Sequence, residues 1–230
     1  MTLDILKTYL EPLLQGAWWT FALFAASSLL SVALGLAVCF CRMSSVTAVR
    51  SAAKVYIDIV RGTPLLVQLF FLYYGLPELG VVIPGFVAGV LGLVLNFGAY
   101  LAELFRGGIQ SVDNGQFEAS RALGMTRAQR MRVIVMPQAL RTIFPALGNY
   151  ALVLVKDTSL VAVISVYELM RAGQMLAGAT FRSLLVYSLV GAIYFVMCGA
   201  LSYLFRRAEK SLSIPGYWSG APDHNPAAKI

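Results

Sequence analysis

Polar and apolar residues alternate along this chain on the scale of whole helices. Apolar runs at about residues 17–41, 55–76, 81–105, 143–165 and 184–205 are separated by short polar stretches, several of them basic. Crossing about 30 Å of hydrocarbon takes about 20 predominantly apolar residues, and each run reaches that length. The pattern predicts an all-α membrane protein with five transmembrane helices. Trp18 and Trp19 open the first run, where an interfacial aromatic belt belongs. In the second run Asp58 and Arg61 are three apart, so they share a face and are expected to pair. Gly62-Thr63-Pro64 is expected to break or kink that span. Residues 1–15 read as a short lead-in and 166–183 as a loop. The third run is followed by a polar island at about residues 113–137.

Lys and Arg are distributed unevenly between the runs. Arg42, Arg50 and Lys54 follow the first, Arg106, Arg121, Arg127, Arg130, Arg132 and Arg141 the third, and Arg206, Arg207 and Lys210 the fifth. Pro77-Glu78-Leu79-Gly80, after the second, has no basic residue, and 166–183 has only Arg171 and Arg182. By the positive-inside rule the N-terminus is expected outside and the C-terminus in the cytoplasm, with the polar island on the cytoplasmic side. An odd number of spans without an internal repeat points to a second subunit for symmetry.

Composition leaves little room for anything else. The 230 residues are 59% hydrophobic and 13% charged, with a mean hydropathy of +0.75. One transmembrane domain is expected over 1–212 and a flexible cytoplasmic tail over 213–230. The net charge of +7 is explained by the membrane-flanking loops, so it does not argue for nucleic acid. Cys39, Cys41 and Cys198 have no zinc or disulfide spacing. The N-terminus, with Asp4, Lys7 and Glu11, does not read as a cleavable signal. Lys7, Lys54, Lys156, Lys210 and Lys229 follow Leu, Ala, Val, Glu and Ala, so no Gly-Lys P-loop exists. Any ATP that drives the protein binds another chain. The single His224 lies in the tail and suits no catalytic triad. No metal or cofactor site is expected.

The island has the grammar of a helix–turn–helix. Asp113 or Asn114 is placed to cap a helix from Gln116 to Leu123. Gly124 suits a left-handed stop, with Met125 as the apolar residue after it. Thr126 and Gln129 make a capping box for a second helix that runs towards Pro137. Glu118-Ala119-Ser120, three residues, Gly124, nine residues and Ile134-Val135-Met136-Pro137 resemble the EAA loop of ABC importer permeases. Ser120 stands for the second Ala and Met136 for Leu. The resemblance implies that Glu118, Ala119, Ser120, Gly124, Ile134 and Pro137 dock into a cleft on a separate ATPase. It further implies two ATPases per complex, a second permease copy or a sister permease, an external solute-binding protein and a place in the cell inner membrane.

Polar groups inside the runs are the candidate substrate path, because a charge at a helix centre costs about 2.5–3.5 kcal/mol on insertion scales. Asn96, Tyr100 and Glu103 stand at i, i+4 and i+7 and share one helix face. Lys156 and Asp157 lie deep in the fourth run, followed by Thr158 and Ser159. The segments around these residues, and Tyr56 to Gln68, are similar to glutamine- and cystine-type amino-acid permeases, in which polar residues on the two helices line the substrate cavity. A zwitterionic amino acid needs acceptors for its ammonium and donors for its carboxylate. Glu103 or Asp157 suits the first task, and Asn96, Thr158 and Ser159 the second. Lys156 diverges by about 100° from its neighbour and is as well suited to a partner acid. The bland alternative for Glu103, Lys156 and Asp157 is a set of structural ion pairs. A gradient-driven transporter with Glu103 and Asp157 as ion sites, and a non-transporting scaffold, are the rival functions. Glutamine, cystine, a basic amino acid and an opine-like derivative all fit the sequence.

Overall fold

The computed structural model describes residues 2–212, with side chains from 7 to 210. The expected tail and His224 lie outside the described residues. Among the described residues eight helices follow one another: α1 (Thr2–Arg42), α2 (Thr47–Gly62), α3 (Leu65–Glu78), α4 (Gly85–Gln110), α5 (Asn114–Ala122), α6 (Arg127–Ile164), α7 (Leu169–Thr180) and α8 (Ser183–Leu212). No strand occurs among the described residues. Among the described residues four helices, α1, α4, α6 and α8, are long and apolar enough to cross a membrane, and α2 with α3 makes a fifth if the bent pair is one span.

α4 is the helix on which the others are assembled. Ala88, Leu93, Phe97, Ala99, Leu101, Ala102 and Phe105 are all buried along it. α1 is its principal neighbour and approaches closely. A Cβ on Gly35 would stand 2.8 Å from the Leu101 Cβ. Small residues at such crossings let helix backbones meet where lipid supplies no hydrophobic drive. Around α4, Leu23, Leu69, Val161 and Ile164 fill one half of the core, and Cys39, Ile57, Val135, Ala139 and Ile143 the other.

Several expectations need correction. Residues 2–15 are not a separate lead-in; α1 is continuous through them, and Tyr9 and Leu13 are buried against Leu169, Ala172, Val186 and Val190. Residues 166–183 are not a plain loop. They hold α7, with Leu169, Ala172, Gly173 and Ala177 on its buried face, and at 12 residues it spans about 18 Å, too short to cross the bilayer. The helix that carries the start of the second apolar run begins at Thr47, and Thr63 and Pro64 are extended. The two halves meet at 105°. Pro64 has no N–H to donate and disfavours helical backbone at Thr63, so both effects end the ladder at one place. Asp58 and Arg61 form no ion pair, because Arg61 instead lies over the Tyr100 ring, 5.1 Å from its centroid.

Pro137 does not end its helix. Residues Met131–Val135 widen into a π-turn, and the Met136 N–H bonds to the Met131 carbonyl, five residues back. The same device precedes Pro77: Phe71–Gly75 form a π-turn and the Leu76 N–H bonds to the Phe71 carbonyl. Each extra residue moves a carbonyl away from the proline ring that would otherwise strike it. The second helix of the polar island is therefore one body with the fourth span.

Candidate functional site

The break between α2 and α3 releases backbone carbonyls at the end of α2, and side chains take them up. Thr63 donates its hydroxyl to the Ile59 carbonyl at 2.9 Å. The Gln68 amide nitrogen donates to the Val60 carbonyl at 2.8 Å and lies 3.1 Å from the Thr63 carbonyl and 3.0 Å from its hydroxyl. Because that nitrogen must face oxygens, the Gln68 carbonyl faces α4, where it accepts from the Asn96 amide at 3.2 Å. One glutamine thus clamps both sides of the break and ties it to α4. Tyr56 adds a second tie, donating to the Leu95 carbonyl at 2.6 Å.

Beside the break is an open cavity of about 570 Å³, lined by residues of α2, α3, α4 and α6 and of the break itself. Its polar lining comprises Arg61, Thr63, Asn96, Tyr100, Tyr150 and Asp157. The cavity brings together Asn96, Tyr100 and Asp157 of the expected path, from two helices. The other four lie elsewhere. Glu103 is gripped by Arg106 through two parallel bonds of 3.1 and 2.6 Å, with Arg42 at 3.9 Å. Such bidentate pairing is the strong form of carboxylate recognition and leaves Glu103 little capacity for a ligand. Lys156 is exposed, on a different face from the cavity. Thr158 is buried and donates to the Val155 carbonyl at 2.7 Å. Ser159 is half-buried outside the cavity lining.

Arg61, Gln68 and Tyr150 were not among the expected site residues. Arg61 carried a signal, being a cation in a span, but Asp58 three residues away supplied an apparent partner. Gln68 stands only five residues past Thr63, and only the break turns it back towards α2.

The polar island forms the corner between α4 and α6. Asp113 caps α5 by accepting from the Gly115 N–H at 2.6 Å. Gly124 is left-handed at φ 71°, and the Met125 N–H closes on the Ser120 carbonyl at 3.1 Å, as a Schellman ending requires. Thr126 and Gln129 bond reciprocally, at 2.9 and 3.3 Å. Ser120 is buried and donates to the Phe117 carbonyl at 2.8 Å. Glu118, Ala119, Gly124 and Pro137 are exposed, Ile134 is half-buried, and Leu123 is 78% exposed. The corner is held internally and presents its outer face unpartnered by this chain.

At the opposite end a buried carboxylate joins three helices. Glu168 caps α7, accepting from the Arg171 N–H at 2.7 Å. It also accepts from Tyr194 of α8 at 2.9 Å and Thr20 of α1 at 3.3 Å. Thr20 in turn accepts from the Leu169 N–H at 3.1 Å. Burial pushes the Glu168 carboxyl above its ordinary value, against the opposing pull of these hydrogen bonds. Glu168 falls in the stretch 166–183, which the sequence reads only as a loop.

Four helices long and apolar enough to cross a membrane, a helix pair bent by 105° with a polar cavity beside it, and a capped polar corner define a helical membrane-protein architecture. Residues 27–209 match the family described as the binding-protein-dependent transport system inner membrane component, and the chain belongs to that family. It is a permease subunit of an ABC importer, in which ATP hydrolysis belongs to separate subunits. The glutamine transport system permease protein GlnP of Escherichia coli is 37% identical over 204 residues, 88% of this chain and 93% of that protein. The L-cystine transport system permease protein TcyB of Bacillus subtilis is 36% identical over 211 residues, 91% of this chain and 90% of that one. A crystal structure of an amino acid ABC transporter with histidines superposes with a TM-score of 0.86 at 41% identity, covering 91% of this chain and 97% of its counterpart.

Proposed function

We propose that this permease carries a polar amino acid through the cavity at the broken span. The carrying observation is that Asn96, Tyr100 and Asp157, drawn from two helices, line one cavity beside Arg61. The relatives named for glutamine and cystine favour an amino acid over other solutes. The described residues act as one transmembrane domain of five spans, with α2 and α3 crossing together. The N-terminus is outside and the C-terminus cytoplasmic, and the corner from Asp113 to Pro137 lies in the cytoplasm.

On this reading Glu118, Ala119 and Gly124 present the docking face to an ATPase, while Ser120 fixes the turn behind them. Because the second helix of the corner continues as α6, a force on the corner reaches Asp157 through helical backbone. Two ATPases and a second permease, either a copy or a sister chain, complete the importer. An external binding protein delivers the substrate. Glu103 serves structure, through Arg106 and Arg42, which removes one of the two ion sites that a gradient-driven transporter needs.

The test is purification of the tagged chain from mild detergent, followed by reconstitution with its binding protein. Co-purification of a P-loop ATPase at one copy per permease, and ATP-dependent amino-acid uptake, are expected. Uptake that persists without any ATPase would refute the proposal.

A further inference from the structure

A second cavity, of about 340 Å³, lies between α1 and α8 with α4 and α6 as its floor. Phe97, Leu101 and Leu154 of the floor are buried, whereas Leu29 and Val32 on the α1 rim are exposed. No charged side chain lines it. Ser28 spends its hydroxyl on the Ala25 carbonyl at 3.1 Å and Ser31 is buried, so the surface offered is almost wholly apolar. The rims are the spans least covered by this chain. Of the apolar stretch of each, 11% is buried in α8 and 28% in α1, against 67% in α4, so the groove opens outward from the bundle.

Its shape selects an occupant. Phe24 and Val32 mark its reach along α1, about 12 Å of helix. One leaflet of hydrocarbon, half of the membrane core, is about 15 Å thick. Spread over its length, the volume leaves a channel about 5–6 Å across, roughly half the diameter of a helix. The groove admits an extended hydrocarbon chain and excludes a helix of a second subunit.

Charge is supplied beside it. The Phe205 ring, part of the lining, seats on α6 at Gly148, where a Cβ would come within 3.3 Å of it, and packs on Phe144 at 5.7 Å. The next two residues, Arg206 and Arg207, are exposed, and neither enters an ion pair among the described residues. Glu209 is the only acid from 206 to 210, and Lys210 offsets it. Basic residues beside a cleft between transmembrane helices suit an anionic headgroup.

We propose that this groove holds one anionic phospholipid, with an acyl chain in the apolar channel and the phosphate on Arg206 and Arg207. Phe97 and Tyr150 line both cavities, so the bound chain packs against the wall of the polar one. The site is independent of the amino-acid reading; only its place in the cytoplasmic leaflet rests on the topology proposed above.

The test is native mass spectrometry of the purified, delipidated permease–ATPase complex titrated with palmitoyl-oleoyl phosphatidylglycerol or with the net-neutral palmitoyl-oleoyl phosphatidylcholine. One tightly bound phosphatidylglycerol per permease is expected, with phosphatidylcholine at least about tenfold weaker, since each basic residue beside an anionic headgroup contributes about fivefold. Arg206→Gln combined with Arg207→Gln should remove that preference and leave phosphatidylcholine binding unchanged. Ala151→Phe fills the channel and should weaken both lipids at least about tenfold. If that variant fails to assemble, Ser28→Phe, at a half-buried position in the same lining, carries the test. sn-Glycerol 3-phosphate, the headgroup without a chain, should not displace the lipid. Equal affinity for the two lipids in wild type, undiminished binding in an assembled channel-filling variant, or displacement by sn-glycerol 3-phosphate overturns the site. So does a disulfide between two copies of Leu29→Cys that is absent from wild type, because a second permease then covers the groove.

Discussion

Replacing Gln68 by Leu keeps nearly the same volume and removes every bond of the clamp. The amide nitrogen loses the Val60 carbonyl at 2.8 Å and the Thr63 oxygens at 3.0 and 3.1 Å, and the amide oxygen loses Asn96 at 3.2 Å. A typical hydrogen bond contributes about 0.5–1.5 kcal/mol net, and a buried group left unpaired costs about 1–3 kcal/mol. The carbonyls at the break lie beside the cavity, where water can replace Gln68, so they belong at the low end. Asn96 is only 7% exposed and belongs at the high end. The sum is about 2–4 kcal/mol, enough to lower the thermal midpoint of the detergent-solubilised complex measurably. The decisive assay is the double-mutant cycle with Asn96→Leu. Once Asn96 is gone its orphaned amide no longer contributes, so Gln68→Leu should cost about 1 kcal/mol less in that background, within the range for residues in one network. Additive effects, or a Gln68→Leu protein as stable as wild type, would refute the clamp.

Three further outcomes follow from the structure. Glu168→Ala should destabilise the chain by about 2–4 kcal/mol in thermal denaturation, because the Tyr194 and Thr20 hydroxyls and the Arg171 N–H lose their shared acceptor. Burial raises the Glu168 carboxyl in the folded state, so its contribution is complete below its ordinary value of 4.5 and is lost as pH rises through the folded value. The thermal midpoint of wild type should therefore fall across that window more than that of Glu168→Gln, and equal slopes would count against a titrating Glu168. Gly124→Val forces a β-branched residue to φ 71° at a cost of about 1–3 kcal/mol, and Glu118→Lys inverts an exposed charge. Both should abolish ATPase co-purification while the membrane domain still elutes as a single species, and retention of the ATPase by either would contradict docking at this corner.

Much of this fold is legible in the chain because the bilayer makes composition decisive. Apolar runs such as 184–205 become helices since no other open structure satisfies its backbone in lipid. The corner is legible for a different reason: Asp113, Gly124, Thr126 and Gln129 act over three or four residues, within reach of sequence spacing. Proline was read too simply. Pro64 does break its span, but Pro137 is absorbed by a π-turn, and the choice depends on whether the chain beyond can pack as a continuous helix. Val135, Ala139 and Ile143, buried against α4, favour continuity at Pro137.

The cavity was only partly legible. Asn96 and Tyr100 share a helix face, so their periodicity revealed them together, yet the same periodicity added Glu103, whose partner Arg106 lies one turn on. Asp157 was singled out from three equally polar neighbours only by the rotation of α6. Arg61 and Gln68 depend on the 105° bend, and Glu168 on a contact with Thr20, 148 positions earlier. Local backbone chemistry and the cost of polar groups in hydrocarbon were enough for the helical membrane class, the break at Pro64 and the capped corner. The tertiary structure alone decided which polar side chains pair with one another and which remain facing an open cavity. Pairing depends on how helices distant in sequence are rotated and tilted, and that is set by packing across the whole bundle.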